Sequence, residues 1–270
     1  MQEQNGARID APADAAISQR GWDRWRPEVY EEDIRHDIDN VLLSLRLHSK
    51  RRFMHQRFWE EESKAAEYAA QLEPHPRLET VSEHSWHVAD VVLTLADHFP
   101  FIDLGNSLRL ALLHDKMELF TGDRNPVGRD GTGARTHAFN EARRWDKDRA
   151  EEEAIVRYLG GVRPSARPTQ ARALYEILHG RTVDARFVKA ADKLAALAYV
   201  LVKKRGTMID KHLFFTLRYS EKSLEYFPPL ELHYEELRRR LIKSLARDRA
   251  APVRSVELMI QQSRAQLALF

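Results

Sequence analysis

The sequence predicts an all-α protein. Three observations carry that expectation: apolar residues recur at three- and four-residue spacing along most of the chain, no segment alternates convincingly with period two, and Gly or Pro separates several of the periodic stretches. In 270 residues, hydrophobic side chains make up 43% and aromatics 9%, enough for one substantial core. No Pro/Gly/Ser-rich linker separates two periodic regions. A helical domain over residues 28–229 is therefore expected, between a tail at 1–27 and a helical extension at 230–270.

Met1 to Arg26 is rich in Ala, Asp, Gln and Arg with little apolar periodicity, and reads as a tail in which Trp22 and Trp25 form a packed aromatic pair. From Glu28 to Lys50 the spacing of Val29, Ile34, Ile38, Val41, Leu42 and Leu45 is helical. Arg51 to Ala70 continues with Phe53, Met54, Phe58, Trp59 and Tyr68 until Pro74 and Pro76 end the region. Thr80 and Glu83 form a capping-box pattern ahead of Trp86, Val88, Val92 and Leu93, which places His84 in the first turn of a helix running to Phe99. Leu104 to Glu118 reads as one further helix, broken at Gly122.

Arg124 to Thr136 carries Pro126, Gly128, Gly131 and Gly133 among polar residues and is expected to be a loop. It lacks the Gly-Lys-Ser/Thr ending of a Walker phosphate cradle, so a flank or lid of a site is the better reading. Helices are then expected over His137 to Leu159, Thr169 to Leu178, Asp184 to Val202, Leu213 to Tyr226, Leu230 to Leu245 and Val256 to Leu269.

Composition limits the function. Lys and Arg number 43 against 41 Asp and Glu, a formal charge of +2, so no whole-molecule field draws the protein to nucleic acid or anionic lipid. The basic runs Lys203-Lys204-Arg205 and Arg238-Arg239-Arg240 lack the interleaved aromatics that stack on bases and read as solvated helix faces. Cysteine is absent, which excludes disulfides and thiolate metal sites. There is no secretory pattern and no apolar run of membrane-spanning length, so a cytoplasmic protein without a membrane partner is expected.

Candidate chemistry concentrates where the apolar helix Leu110 to Leu113 runs into His114-Asp115, shows Glu118 one turn later and breaks before Asp123. Core-facing helix positions rarely hold such groups together unless they satisfy one another or hold a ligand. Adjacent residues on a helix point about 100° apart, so His114 and Asp115 need ligands from elsewhere to complete a metal site. The best candidates are His84, within Glu83-His84-Ser85, and Asp192, within Lys189-Ala190-Ala191-Asp192. Two imidazoles and two carboxylates suit one divalent ion among Mn, Co, Fe, Ni and Zn, with Mg also open. Glu118, four residues from His114, stands on about the same helix face and could orient or deprotonate water.

This order of His84, His114-Asp115 and a distant Asp192 resembles the HD-domain metal-dependent phosphohydrolases. With Glu118, Thr121-Gly122-Asp123 and Val188-Lys189 included, it looks like the bacterial 5′-deoxynucleotidase branch, over roughly Val41 to Pro228. The resemblance implies an HD-domain helical bundle, one divalent metal on His84, His114, Asp115 and Asp192, and catalytic carboxylates at Glu118 and Asp123. Substrate contacts are implied at Arg57 and Trp59, with Arg77 instead or as well, and at Lys189 facing a phosphate. The implied substrate is a nucleotide, foremost a (deoxy)nucleoside 5′-monophosphate, and the implied assembly a homodimer.

Three other readings stay open: a nucleoside triphosphate phosphohydrolase on the same site, a diiron HD-type oxygenase, and a non-catalytic nucleotide-binding module. A second metal would draw on His137 or His179, neither of which lies on a clear apolar helix face. His87, one turn after His84, reads as packing or as support for a ligand.

Overall fold

The computed structural model describes residues 31–54, 56–59 and 78–267. The Trp22 and Trp25 pair, Arg77 and most of the helical stretch expected over 51–70 lie outside the described residues, as does all of the expected tail. Among the described residues the regular elements are helices, and the extended pairing is an isolated antiparallel bridge between Arg51 and Thr80. This is the all-α architecture expected.

Helix α1 (Glu31–Ser44) continues as a 3-10 turn at Leu45–Ser49. Its Ile34, Ile38, Val41 and Leu42 are about half exposed, so it lies on the body more than in it. Helix α2 (Val81–Leu95) begins with the expected capping box: Thr80 Oγ1 accepts from Glu83 N, and the Glu83 carboxylate accepts from Thr80 N. That cap fixes where the helix starts and which way His84 faces.

The expected helix over 104–118 is two pieces, α3 (Leu104–Leu113) and α4 (Glu118–Thr121). Between them the backbone switches to i→i+3 bonds, Lys116 N to Leu113 O at 3.1 Å and Glu118 N to Asp115 O at 3.0 Å. The chain tightens at the His-Asp pair, a frequent mark of a functional segment. Gly122 ends α4 at φ 70°, a conformation costly for any residue with a Cβ.

Helix α5 (Glu141–Gly161) starts four residues later than expected. Asn140 caps it by accepting from Arg143 N, and His137 to Phe139 stay in the loop, where Lys222 takes the Ala138 carbonyl. Then come α6 (Arg167–His179), α7 (Val183–Lys204), α8 (Asp210–Ser220), α9 (Lys222–Tyr226), α10 (Glu231–Asp248) and α11 (Val253–Leu267). The single helix expected over 213–226 is thus the pair α8 and α9.

Helix α7 is the axis of the bundle, packed by α2, α3, α6, α8, α9 and α10. It is apolar on most of its circumference, which only a fully surrounded helix sustains. Phe187, Val188, Ala190 and Ala191 are fully buried, the alanines letting neighbours approach closely. Removing a buried side chain the size of Phe187 costs about 3–5 kcal/mol. The C-terminal helices join this same core, through buried Leu230, Tyr234, Leu241 and Leu245 on or beside α10 and Val256 and Ile260 on α11. No described helix is long and apolar enough to cross a membrane.

Candidate metal centre

Three helices deliver ligand-type atoms to one point. Atoms of His84 on α2, His114 at the end of α3 and Asp192 on α7 all lie within 4.8 Å of one another. Asp115 completes the group: its Oδ2 stands 3.2 Å from His114 Nε2 and 3.8 Å from His84 Nε2. His84 Nε2 is 2.9 Å from Asp192 Oδ1. Two atoms each about 2.1 Å from one cation lie about 3–4 Å apart, so these separations suit a shared ion.

The orientation of the imidazoles supports that role. His114 Nδ1 is 2.7 Å from the Ala111 carbonyl, so the proton belongs there and the lone pair on Nε2 faces the carboxylates. That Nε2 is buried with no hydrogen-bond partner, and so is Glu118 Oε2. Orphaned buried polar atoms are costly, and a cation with its bound water would satisfy both. On the other ring, His84 Nδ1 faces Glu79 Oε1 at 3.5 Å, leaving Nε2 toward the same point.

Charges around the centre are strongly biased. Burial would favour neutral Asp115 and Asp192, yet His114 in its charged form, as when no cation is bound, holds Asp115 well below the usual carboxylate range, and Lys193 with His84 does the same for Asp192. Glu118 moves the other way: burial, then Asp115 and Asp123, pushes its carboxyl well up. Asp123 is pushed up by burial and by Asp115, against the pull of Arg52. Two anionic ligands beside two proton-hungry carboxylates is the division that acid-base chemistry requires.

The centre opens into a cavity of about 460 Å³. Glu118, Asp123, Trp59 and Lys189 all line it. Arg57, by contrast, is exposed and outside the lining, and Arg52 stands in its place. Arg52 Nη1 is 2.5 Å from Glu79 Oε1, and the fields of Glu79, Asp123, Asp115 and Asp192 all favour its charge. His137 and His179 also line the cavity but are not part of the ligand group. Burial and then Lys147 push His137 down to about 3, keeping it neutral.

Several participants carry no clear mark in the sequence: Arg52, Glu79, Lys147, Lys193 and Lys222. Arg52 has a usable signal, since Arg52-Phe53 is another Arg-aromatic pair upstream of His84. Glu79 has a weaker one, as the residue before the Thr80 cap. Lys193 Nζ is 2.6 Å from Asp192 Oδ2, so Asp192 carries a salt bridge on one oxygen while its Oδ1 stays turned to His84.

The HD-domain family model matches residues 69–228, which span His84, His114, Asp115 and Asp192. The chain belongs to the HD-domain family. Solved structures share the bundle. A predicted metal-dependent phosphohydrolase from Magnetospirillum magnetotacticum MS-1 is 23% identical with a TM-score of 0.53, over 82% of this chain and 97% of that one. A conserved hypothetical protein from Pyrococcus furiosus is 25% identical with a TM-score of 0.51, over 75% and 99%. A protein from Pyrococcus horikoshii OT3 is 20% identical with a TM-score of 0.51, over 75% and 99%. No curated protein matches the chain.

Proposed function

We propose that this HD-domain protein is a metal-dependent phosphohydrolase acting on nucleoside 5′-phosphates, the class implied by its resemblance to the 5′-deoxynucleotidase branch. The observation that carries the reading is the meeting of His84, His114, Asp115 and Asp192 beside a buried carboxylate, Glu118, that has an unpartnered oxygen. The Magnetospirillum neighbour carries the same general description.

A divalent cation held by those four side chains would neutralise a phosphoryl oxygen and acidify bound water. Arg52 and Lys193, flanking the ligand carboxylates, supply fixed positive charge to the remaining phosphoryl oxygens. Glu118 takes the proton of the attacking water, a task suited to a carboxylate whose burial raises its proton affinity. Asp123, also with a raised affinity, is placed to return a proton to the leaving oxygen.

The test is phosphate release across a nucleotide panel, after chelation and reloading with individual metals. Glu118→Gln is expected to lower kcat by about 10²–10⁴ while metal still binds. Asp192→Ala is expected to lose the metal. Failure of every metal to support phosphate release from any nucleotide refutes the reading.

A further inference from the structure

Among the described residues four lysines line the cavity, and two of them have no carboxylate partner. Lys147 pairs with Glu151 and Lys193 with Asp192. Lys189 Nζ instead donates to the Leu178 carbonyl at 2.9 Å, and Lys222 Nζ to the Ala138 carbonyl at 2.8 Å. An ammonium has three donors, so each retains capacity that the protein leaves unused. Lys222 is only 7% exposed.

These two amines belong to one cluster. Lys189 Nζ lies 5.7 Å from the Tyr226 ring centre, and Lys222 Nζ 6.0 Å from that of Tyr219, whose centre Lys193 Nζ approaches to 4.7 Å. Burial first, then neighbouring cations, push both amines down to about 8: Lys147 and Lys193 for Lys189, Arg144 and Lys193 for Lys222. Glu151 and Asp148 ease the charge on Lys189, and Glu225 that on Lys222, only through the field and not through a direct ion pair, and buried cations left in that state oppose folding and persist where a ligand needs them. Gly180 closes α6 in the left-handed region at φ 61°, and the Lys189 stem runs past it, 2.7 Å from where a Cβ would stand. The backbone makes room for this side chain to pass.

We infer that Lys189 and Lys222 form a subsite for a second phosphate group, so that the substrate is a nucleotide carrying another phosphate besides the scissile one. This rests on the phosphohydrolase reading and narrows its substrate beyond the simple monophosphate. The scissile group is served by the metal ligands, Arg52 and Lys193, whereas Lys189 and Lys222 are anchored away from the ligand carboxylates, on the carbonyls of Leu178 and Ala138. Point-charge donors from two helices, α7 and α9, suit the several oxygens of a phosphate better than the planar pair of a carboxylate.

The experiment compares adenosine 5′-monophosphate with the 3′,5′-bisphosphate and 5′-diphosphate on Mn²⁺-loaded protein. In parallel it reads the thermal shift produced by pyrophosphate on chelated protein. The better of the two multiply phosphorylated nucleotides is expected to exceed the monophosphate in kcat/KM by tenfold or more. In Lys189→Met and Lys222→Met that ratio falls toward one, the pyrophosphate shift shrinks, and the ligand-free Tm rises because an unpaired buried charge is gone. A monophosphate preference in the unmodified protein, or an equal loss on all three nucleotides in both variants, overturns the subsite and leaves phosphohydrolysis standing. If no nucleotide is cleaved, the functional reading fails. The pyrophosphate shift then decides the subsite alone: a shift absent from the unmodified protein, or unchanged in the variants, removes it.

Discussion

Glu79→Gln should separate the architecture of the centre from its ligands. The Glu79 side chain is 3% exposed and faces three nitrogens: Arg52 Nη1 at 2.5 Å, His84 Nδ1 at 3.5 Å and His87 Nδ1 at 3.4 Å. Gln keeps the shape but removes the charge that answers Arg52, itself only 12% exposed. Breaking a buried pair from one side costs roughly 3–5 kcal/mol. Because Asp123, Asp115 and Asp192 still favour the guanidinium, the lower end applies, roughly 3 kcal/mol. At about 2–4 °C per kcal/mol for a chain of this order, Tm should fall by roughly 6–12 °C. The amide also loosens the His84 ring, so metal affinity should drop by about tenfold or more. Urea titration of chelated protein reads the first effect, and Co²⁺ binding in competition with a chelator reads the second. Removing Arg52 as well, in Glu79→Gln/Arg52→Met, should recover part of the stability. A single variant within about 1 kcal/mol of the unmodified protein, with metal affinity unchanged within about twofold, would show that Glu79 neither balances Arg52 nor orients His84.

Three further outcomes are expected. Thr80→Ala removes one arm of the capping box and should cost about 1 kcal/mol, seen as a Tm lowered by about 2–4 °C; no change would mean the box does not hold the start of α2. Gly180→Ala forces a left-handed residue at φ 61° and a clash with Lys189, so chemical denaturation should show a loss of about 1–2 kcal/mol or more. The third concerns pH. Lys189 is pushed from 10.5 down to about 8, mainly by burial, so its charged form is penalised in the folded chain. That penalty is complete below pH 8 and fades as pH rises toward 10.5, where the folded protein has released a proton the unfolded chain still holds. The gain over this window is at most roughly 3 kcal/mol, and it should be missing from the same denaturation series on Lys189→Met.

What the sequence discloses is mostly local. The Thr80 to Glu83 box is complete within four residues, and the structure forms both of its bonds. The grouping of His84, His114 and Asp192 is legible because ligand-type side chains set inside apolar helical stretches are too costly to bury without something to bind. Contacts that join distant segments leave little trace. Arg52 meets Glu79 across 27 positions, and Lys222 meets Ala138 across 84, with no periodicity to announce either. Arg57 and Arg52 both precede aromatics, and only packing decides that Arg57 faces outward. The break between α3 and α4 is invisible for a related reason: Leu110 to Glu118 has good helical spacing, and the tightened turn shows only in its backbone hydrogen bonds.

Phe53 has a backbone φ of 63°, in the left-handed region, without being glycine. Such a conformation costs a bulky residue about 1–2 kcal/mol, and here its N–H donates to Asp123 Oδ2 at 3.0 Å. The preceding residue donates its own N–H to the Glu79 carbonyl at 2.9 Å. A two-residue clasp thus grips the Asp123 wall with one hand and the Glu79–His84 wall with the other. Slackening that clasp would release both walls at once, so the centre is built to assemble or come apart as a unit.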